Sequence, residues 1–248
     1  MLVVLLPLRS VTATFRNPEF QTFHKSFPLP PPTTLMGLAG AALGLSAKAT
    51  QDFFDATPFR AGVWGTSAGM ATDLWKYDTL ESQQKGSKKE RRSVIKREIH
   101  FQNRWWVAFG SINRQAVEQL HAAFQAPHYA LTLGASDSLV CVESPRIHFT
   151  ESITTQTSTA NSLVAGDIVQ FVLDQAMATG SSFSLNLSSA DPVAYSLPVR
   201  FEYDSDYGIR RVVKRKVFSF VGPKLQFEGL ALEGVTASDG TFIPLFDL

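Results

Sequence analysis

Disulfide chemistry within the chain is excluded first: 248 residues contain a single cysteine, Cys141. A lone thiol suits a reducing cytoplasm, and the apolar run 139–142 around it predicts a buried structural thiol rather than a nucleophile. Charge is scarce as well. Charged residues make up 18% of the chain and the formal net charge is +1, so overall electrostatics select no partner. Long apolar runs are missing: nothing approaches the ~20 residues of a membrane helix. The apolar start, residues 1–8, has no basic leader, is broken by Pro7 and meets Arg9 at once. It reads as a buried first strand continuing to Phe15, not as a signal peptide. The five histidines (His24, His100, His121, His128, His148) show no metal-ligand spacing, and no glycine loop ends in Lys-Ser or Lys-Thr. Neither a Ser-His-Asp order nor a paired-carboxylate signal stands out, and no cofactor is expected.

What remains is an ordinary globular composition, 44% apolar, long enough for one large domain or two small ones. Segment 27–44 narrows the choice most. Prolines at 28, 30, 31 and 32 hold the entry extended, because each residue before a proline is pushed out of the α region. Pro32 then suits the first helical position, or Thr33 caps. A helix over 33–45 puts Leu35, Leu38, Ala42 and Leu45 on one face and Gly37, Gly40, Ala41 and Gly44 on the other. Glycine weakens helices, so this stripe implies close approach, and a sheet is the expected neighbour. Two readings stay open: a buried structural helix, or one whose free N–H groups meet an anion.

Further along, 75–80 reads as strand, 82–92 as a polar exposed loop, and alternation resumes after it. Ile95, Arg97, Ile99 and Phe101 share one face; Val94, Lys96, Glu98 and His100 share the other. The result is a long hairpin with a basic tip. Trp105 and Trp106 open a buried strand, facing opposite ways. Ser111 is the expected cap of a second helix carrying Ile112, Ala116, Leu120 and Phe124 on one face, stopped by Pro127. Segment 129–134 is the next strand. This order matches the β-α-β-β-α-β ferredoxin-like pattern with an enlarged central hairpin, an α+β class. Beyond 150 the chain reads mostly as β, with candidate strands at 164–173, 183–187, 199–203, 212–220 and 225–232. Two regions are expected: 1–150, with the hairpin inserted at 73–103, and 151–248 packed on it.

Charge is concentrated although the total is small. Residues 76–104 hold nine of 23 Lys+Arg, and 200–216 hold six more. Such clusters suggest a local polyanion site. The second run, Arg210, Arg211, Lys214, Arg215 and Lys216, is open to contact with a nucleic acid or another protein, or is an edge strand protected by charge.

Several of these segments together resemble the fifth CRISPR-associated (Cas) subunit family, the small foot subunit of type I Cascade complexes. The matching residues are Phe15 and Arg16 at the strand end, the segment 27–44, residues 97–101 leading into 105–109, and 129–137. The resemblance covers most of the first 140 residues and only loosely the C-terminal third; subtype I-B or a transposon-linked relative fits best. It implies an RNA-recognition-motif-like palm and a projecting hairpin thumb. It further implies a cytoplasmic subunit that caps the 5′ handle of the CRISPR RNA beside the backbone and large subunits, meeting target DNA through the complex and no membrane. The expected RNA contacts are Arg16, Lys25, Thr33 and Thr34 in the palm, Lys88, Lys89, Arg91, Arg92, Lys96, Arg97 and Arg104 on and beside the thumb, and Arg210 and Arg211. One branch of that family cleaves precursor RNA without metal. Here His24 beside Lys25, or His100 beside Lys96, would be the candidate acid–base pairs, but neither spacing is diagnostic. A binding subunit is therefore expected, with an endoribonuclease as the alternative.

Overall fold

A computed structural model describes residues 1–82, 88–179, 193–206, 208–222 and 231–248. The chain runs β1 (Leu2–Ala13), β2 (Phe23–His24), α1 (Pro32–Leu43), α2 (Ala47–Ala56), β3 (Phe59–Thr66), β4 (Gly69–Ser82), β5 (Lys88–Ser111) and α3 (Arg114–Gln125). It continues with β6 (Val140–Val142), β7 (His148–Thr150), β8 (Thr154–Gln156), β9 (Ser162–Ala165), α4 (Ile168–Thr179), β10 (Val193–Tyr203), β11 (Arg210–Val221), β12 (Leu232–Thr236), β13 (Phe242–Pro244) and β14 (Phe246–Asp247). The class is mixed α and β, rich in strand.

Most strands join one sheet in the order β10-β11-β9-β3-β5-β1-β6, and β8, β12 and β13 form a second, smaller one. β5 is the axis, pairing antiparallel with β1 on one side and with β3 and then β4 on the other. Alternation decides what each face buries. Leu2, Val4, Leu6 and Leu8 of β1 point with Trp105, Val107 and Phe109 of β5 into the larger core, under the helices. Val3, Leu5, Trp106 and Ala108 point the other way, to Val235 and Ile243 of the small sheet. The two tryptophans thus divide as their adjacency requires.

Helix α1 begins with Pro32 at its first position and Pro31 as an uncapped N-cap; Thr33 does not cap. Its small-residue stripe meets a helix, not a sheet. A Cβ on Gly40 would fall 2.1 Å from Thr50 Oγ1 of α2, whereas one on Gly37 meets nothing within 4 Å. α2 itself was not expected. Ser46 starts it, accepting from the Ala49 N–H (3.2 Å).

Other expectations need correction. Ser111 ends β5 and donates to the Pro58 carbonyl, while Asn113 caps α3 by accepting from the Ala116 N–H. Ile112 is left exposed. Segment 129–134 is no strand: it forms one bridge, Thr132 to Leu139, and β6 takes the edge position instead. The second half of 164–173 is helix α4, and 183–187 and most of 225–232 lie outside the described residues. Residues 88–92 of the expected polar loop are strand instead, paired with 78–82, and 83–87 lie outside the described residues. Among the described residues no helix is long and apolar enough to cross a membrane.

The two glycines predict opposite outcomes. Gly37→Ala should stabilise the chain by about 0.5–1 kcal/mol through helix propensity. Gly40→Ala should cost about 1–3 kcal/mol, because Thr50 is held by its bond to the Ser46 carbonyl and cannot yield. Urea unfolding midpoints of both variants check the pair.

Candidate nucleic-acid interface

β4 and the first half of β5 pair as an antiparallel arm of the sheet, in register from Gly69 opposite Phe101 to Ser82 opposite Lys88. Asp73, Trp75 and Tyr77 share a face with Arg97, Ile95 and Ser93. Thr72, Leu74 and Lys76 share the other with Glu98, Lys96 and Val94. The segment between β1 and α1 is fastened along the arm's base. Arg16 bridges to Ser26, β2 pairs with Lys96 and Arg97, and the Ser26 N–H donates to Glu98 (2.9 Å). His100 Nε2 donates to the Phe27 carbonyl (2.9 Å).

Arg97 departs from its expected role as an RNA contact. It is only 8% exposed. Its guanidinium binds both oxygens of Asp137 and also Asp73 of β4 (3.0 Å), and lies over the Trp75 ring (5.5 Å). The bond to Asp137, then that to Asp73, hold its proton more firmly than usual, against the opposing effect of burial. The bond to Arg97 in turn pulls the Asp137 carboxyl below the ordinary range. Asp137 reaches Arg97 because the chain turns at Gly134, where φ is +87° and a Cβ would strike the Thr14 carbonyl at 1.7 Å. No side chain but hydrogen fits there. Arg97 is a clasp between arm and turn, its guanidinium engaged by two carboxylates.

Arg16 and Lys25 are exposed in the fastened segment. Lys25 stands over the Phe20 ring (4.8 Å) and at the rim of a cavity of about 750 Å³. Phe27, Tyr195 and Phe220 give that cavity an aromatic wall; Asn17, Ser67 and Asn161 give it polar edges. Phe27 stacks on Phe220 (5.1 Å) and meets Tyr195 edge-on (5.0 Å). Lys96 and Arg92 are exposed on the arm, Arg92 beside Asp78 (3.5 Å). The side chains of Lys88, Lys89 and Arg91 lie outside the described residues.

The remaining expected contacts lie elsewhere. At the start of α1, Pro32 has no N–H, and Thr34 and Leu35 both donate to the Pro31 carbonyl (2.9 and 3.2 Å). Thr33 alone keeps a first-turn N–H without a backbone acceptor among the described residues, so the anion site imagined there is weak. Thr33 shares a separate cavity of about 260 Å³ with Tyr129, Tyr203 and Arg210, whose guanidinium covers the Phe201 ring (4.6 Å). Arg211 is exposed opposite Glu202. Arg104 lines a third cavity with Arg9. The expected cations therefore divide among several surfaces instead of lining one groove.

Both candidate acid–base histidines are buried. His24 is held below the usual histidine range by burial first, then by Arg16 and Arg97. Burial also lowers His100, against the raising effect of its bond to the Phe27 carbonyl. Cys141, expected to be buried, is exposed: β6 is an edge strand and turns it outward. Among the described residues no cluster of three His, Cys, Asp or Glu offers a metal site. Sequence reasoning missed Asp137, Arg9 and the wall residues Tyr195 and Phe220. Only the glycine three residues before Asp137 marked any of them locally; the others become neighbours through pairing across distant strands.

A family model described as CRISPR-associated protein (Cas_Cas5) matches residues 3–213. No curated protein matches the sequence. Among solved structures, the chain is similar to one in a CRISPR RNA-guided surveillance complex, at 15% identity, 89% of this chain, 91% of that chain and a TM-score of 0.48. It is similar to a CRISPR protein from Archaeoglobus fulgidus at 12% identity, 98% and 99% coverage and a TM-score of 0.44. A chain of a type III-B Cmr-beta complex bound to cognate target RNA and AMPPnP matches at 11% identity, 90% and 84% coverage and a TM-score of 0.43.

Two outcomes follow from the clasp and the buried rings. Arg97→Met should lower stability by about 1–3 kcal/mol, toward the small end because both acids are half-exposed. If the chain binds RNA, the salt dependence of that binding should stay unchanged for a residue that acts as a clasp; urea titration and filter binding read the two separately. The neutral histidines make the native state the poorer proton acceptor. Stability is full above the ordinary value near 6.5 and falls as the pH drops through the window down to the depressed native values. Unfolding at pH 7.5 and 5.5 should show this loss, and His100→Asn should shrink it.

Proposed function

The chain belongs to the CRISPR-associated Cas5 family, and from that premise we propose that it is the subunit of a type I surveillance complex that binds and caps the 5′ handle of the CRISPR RNA. Its palm is ferredoxin-like, a reading supported by the order β3-β5-β1-β6 with β5 antiparallel to both β3 and β1. The β4–β5 arm is the thumb. The observation that carries the reading is the fastened segment: Arg16 and Lys25 are held at the arm's base, Lys25 at the rim of a large cavity with an aromatic wall and polar edges. Single-stranded RNA needs those three elements: cations for phosphates, rings for bases, and polar groups for base edges.

Arg16 and Lys25 take phosphates at the palm, and Lys88, Lys89, Arg91, Arg92 and Lys96 take them along the arm. At the smaller cavity a further phosphate is taken by Arg210 and not by the helix start at Thr33. The backbone and large subunits dock on the same molecule, and target DNA is met through the assembly. The role is binding rather than cleavage. Burial of His24 supports this, as does the tie of His100 Nε2, at the cavity wall, to the Phe27 carbonyl and the Ser26 hydroxyl, because a general acid or base must be free to reach the ribose and the leaving oxygen.

The experiment is a salt titration of repeat-RNA binding. The unmodified chain should show log K falling by about 0.7 per phosphate contact for each decade of salt. The double variant Arg16→Glu, Lys25→Glu should bind more weakly with a slope shallower by about two contacts. An unchanged slope removes the palm site. Discrete metal-independent cleavage of the same RNA, lost in His24→Ala or His100→Ala, would establish the endoribonuclease instead.

A further inference from the structure

Strands β1, β5 and β6 bring three residues into one row across the sheet: Arg104 opposite Arg9, and Arg9 opposite Cys141. Two arginines placed directly across a strand pair repel each other, and such pairs are ordinarily unfavourable. One carboxylate offsets the charge only in part. Arg9 pairs with Glu143, but Glu143 also binds Arg146 (2.7 Å). Among the described residues no carboxylate pairs with Arg104. Two guanidinium groups therefore share one acid, and the third has none among the described residues.

The row lines a basin of about 470 Å³ whose shoulders are two aliphatic side chains, Val11 and Leu139, 75% and 62% exposed. The floor is built, not incidental. Gln102 sits at a φ of +49°, a region few non-glycine residues enter. Buried Asn103 fixes that conformation, donating to the His100 carbonyl (3.2 Å) and Ser10 Oγ (3.1 Å) and bonding Ser67 through its oxygen (2.6 Å). Arg9 keeps the parity of Val3 and Leu5, which face the small sheet. The basin thus opens on the face of the sheet opposite the helices, away from the cavity beside Lys25.

We infer that this basin docks an acidic segment of a neighbouring protein: an Asp or Glu carboxylate bound by Arg104 and Arg9, flanked by aliphatic side chains on Val11 and Leu139. Guanidinium geometry suits a carboxylate held through two parallel bonds. Nucleic acid is the poorer fit, since no aromatic ring lines the basin to stack a base. Exposed aliphatics around arginine are instead the composition of a protein interface. The inference rests on the proposed function only in taking the neighbour to be another subunit of the same assembly.

Cys141 supplies the test, being the one cysteine of the chain and exposed in the basin. The full chain is purified alone and in the assembly formed with its coexpressed neighbours and guide RNA, and Cys141 is treated with a maleimide. Its reaction rate should fall about tenfold or more in the assembly, as for a residue at a closed interface. Benzophenone maleimide on Cys141 should crosslink to a protein segment containing Asp or Glu, and Arg104→Glu should weaken assembly at least ~10-fold without changing repeat-RNA binding by the free chain. Equal thiol reactivity in both states, crosslinks to nucleic acid alone, or loss of RNA binding in Arg104→Glu overturns the inference. RNA binding retained with Cys141 unprotected sinks the docking site alone. Cys141 protected by protein in a chain that binds no repeat RNA sinks the functional reading alone.

Discussion

Arg97 ties together the three parts on which the interface depends. It reaches Asp73 on one strand of the arm from its own place on the other, and Asp137 on the turn after α3. A two-stranded ribbon has little stability of its own, because one ladder and no layered core cannot offset its chain entropy. The arm keeps a direction only where something grips its base. Arg97 and Trp75 grip one face, and Glu98 and His100, bonded to residues 26 and 27, grip the other. The segment carrying Arg16 and Lys25 is therefore positioned by the same contacts that orient the arm, and neither can shift without the other.

This shared fastening lets a chain of near-zero charge hold a few cations in a fixed arrangement. No surplus of charge is required when a few cations are fixed in one place. It also shows why a cation's position in sequence is a poor guide to its use. Lys96 and Arg97 are adjacent, yet strand alternation sends one to solvent and the other into a carboxylate pair.

Local rules were legible where local chemistry decides the outcome. The proline entry to α1, the opposed tryptophans, the alternation from Val94 to Phe101 and the first strand all follow from backbone sterics and period-two patterning. What was hidden depends on partners distant in sequence. The glycine stripe announced a close approach but not that α2 would be the neighbour, because Thr50 is reached only after the chain reverses at Gly44. Cys141 looked buried from its apolar neighbours, but a three-residue edge strand has too few flanking layers to cover it. The run 129–134 has strand composition, yet Gly134 and its contact with the Thr14 carbonyl bend it into a turn that holds Asp137 instead.

One residue lets a single strand serve both sheet and arm. In a regular strand, positions five apart face opposite ways. Trp105 and His100 are five apart, yet both rings contact Phe15, at 6.0 and 6.2 Å. The ladder between β1 and β5 is interrupted between them, at Gln102, whose positive φ reverses the phase of everything that precedes it. Had the alternation run through unbroken, Arg97 would share the face of Trp105, and His100 would point away from the Phe27 carbonyl. The clasp and the fastening of the 16–31 segment would both fail to form. The backbone strain at Gln102 is therefore the local cost of joining a sheet and an arm in one strand, and it is offset by the saturated hydrogen bonding of Asn103 beside it.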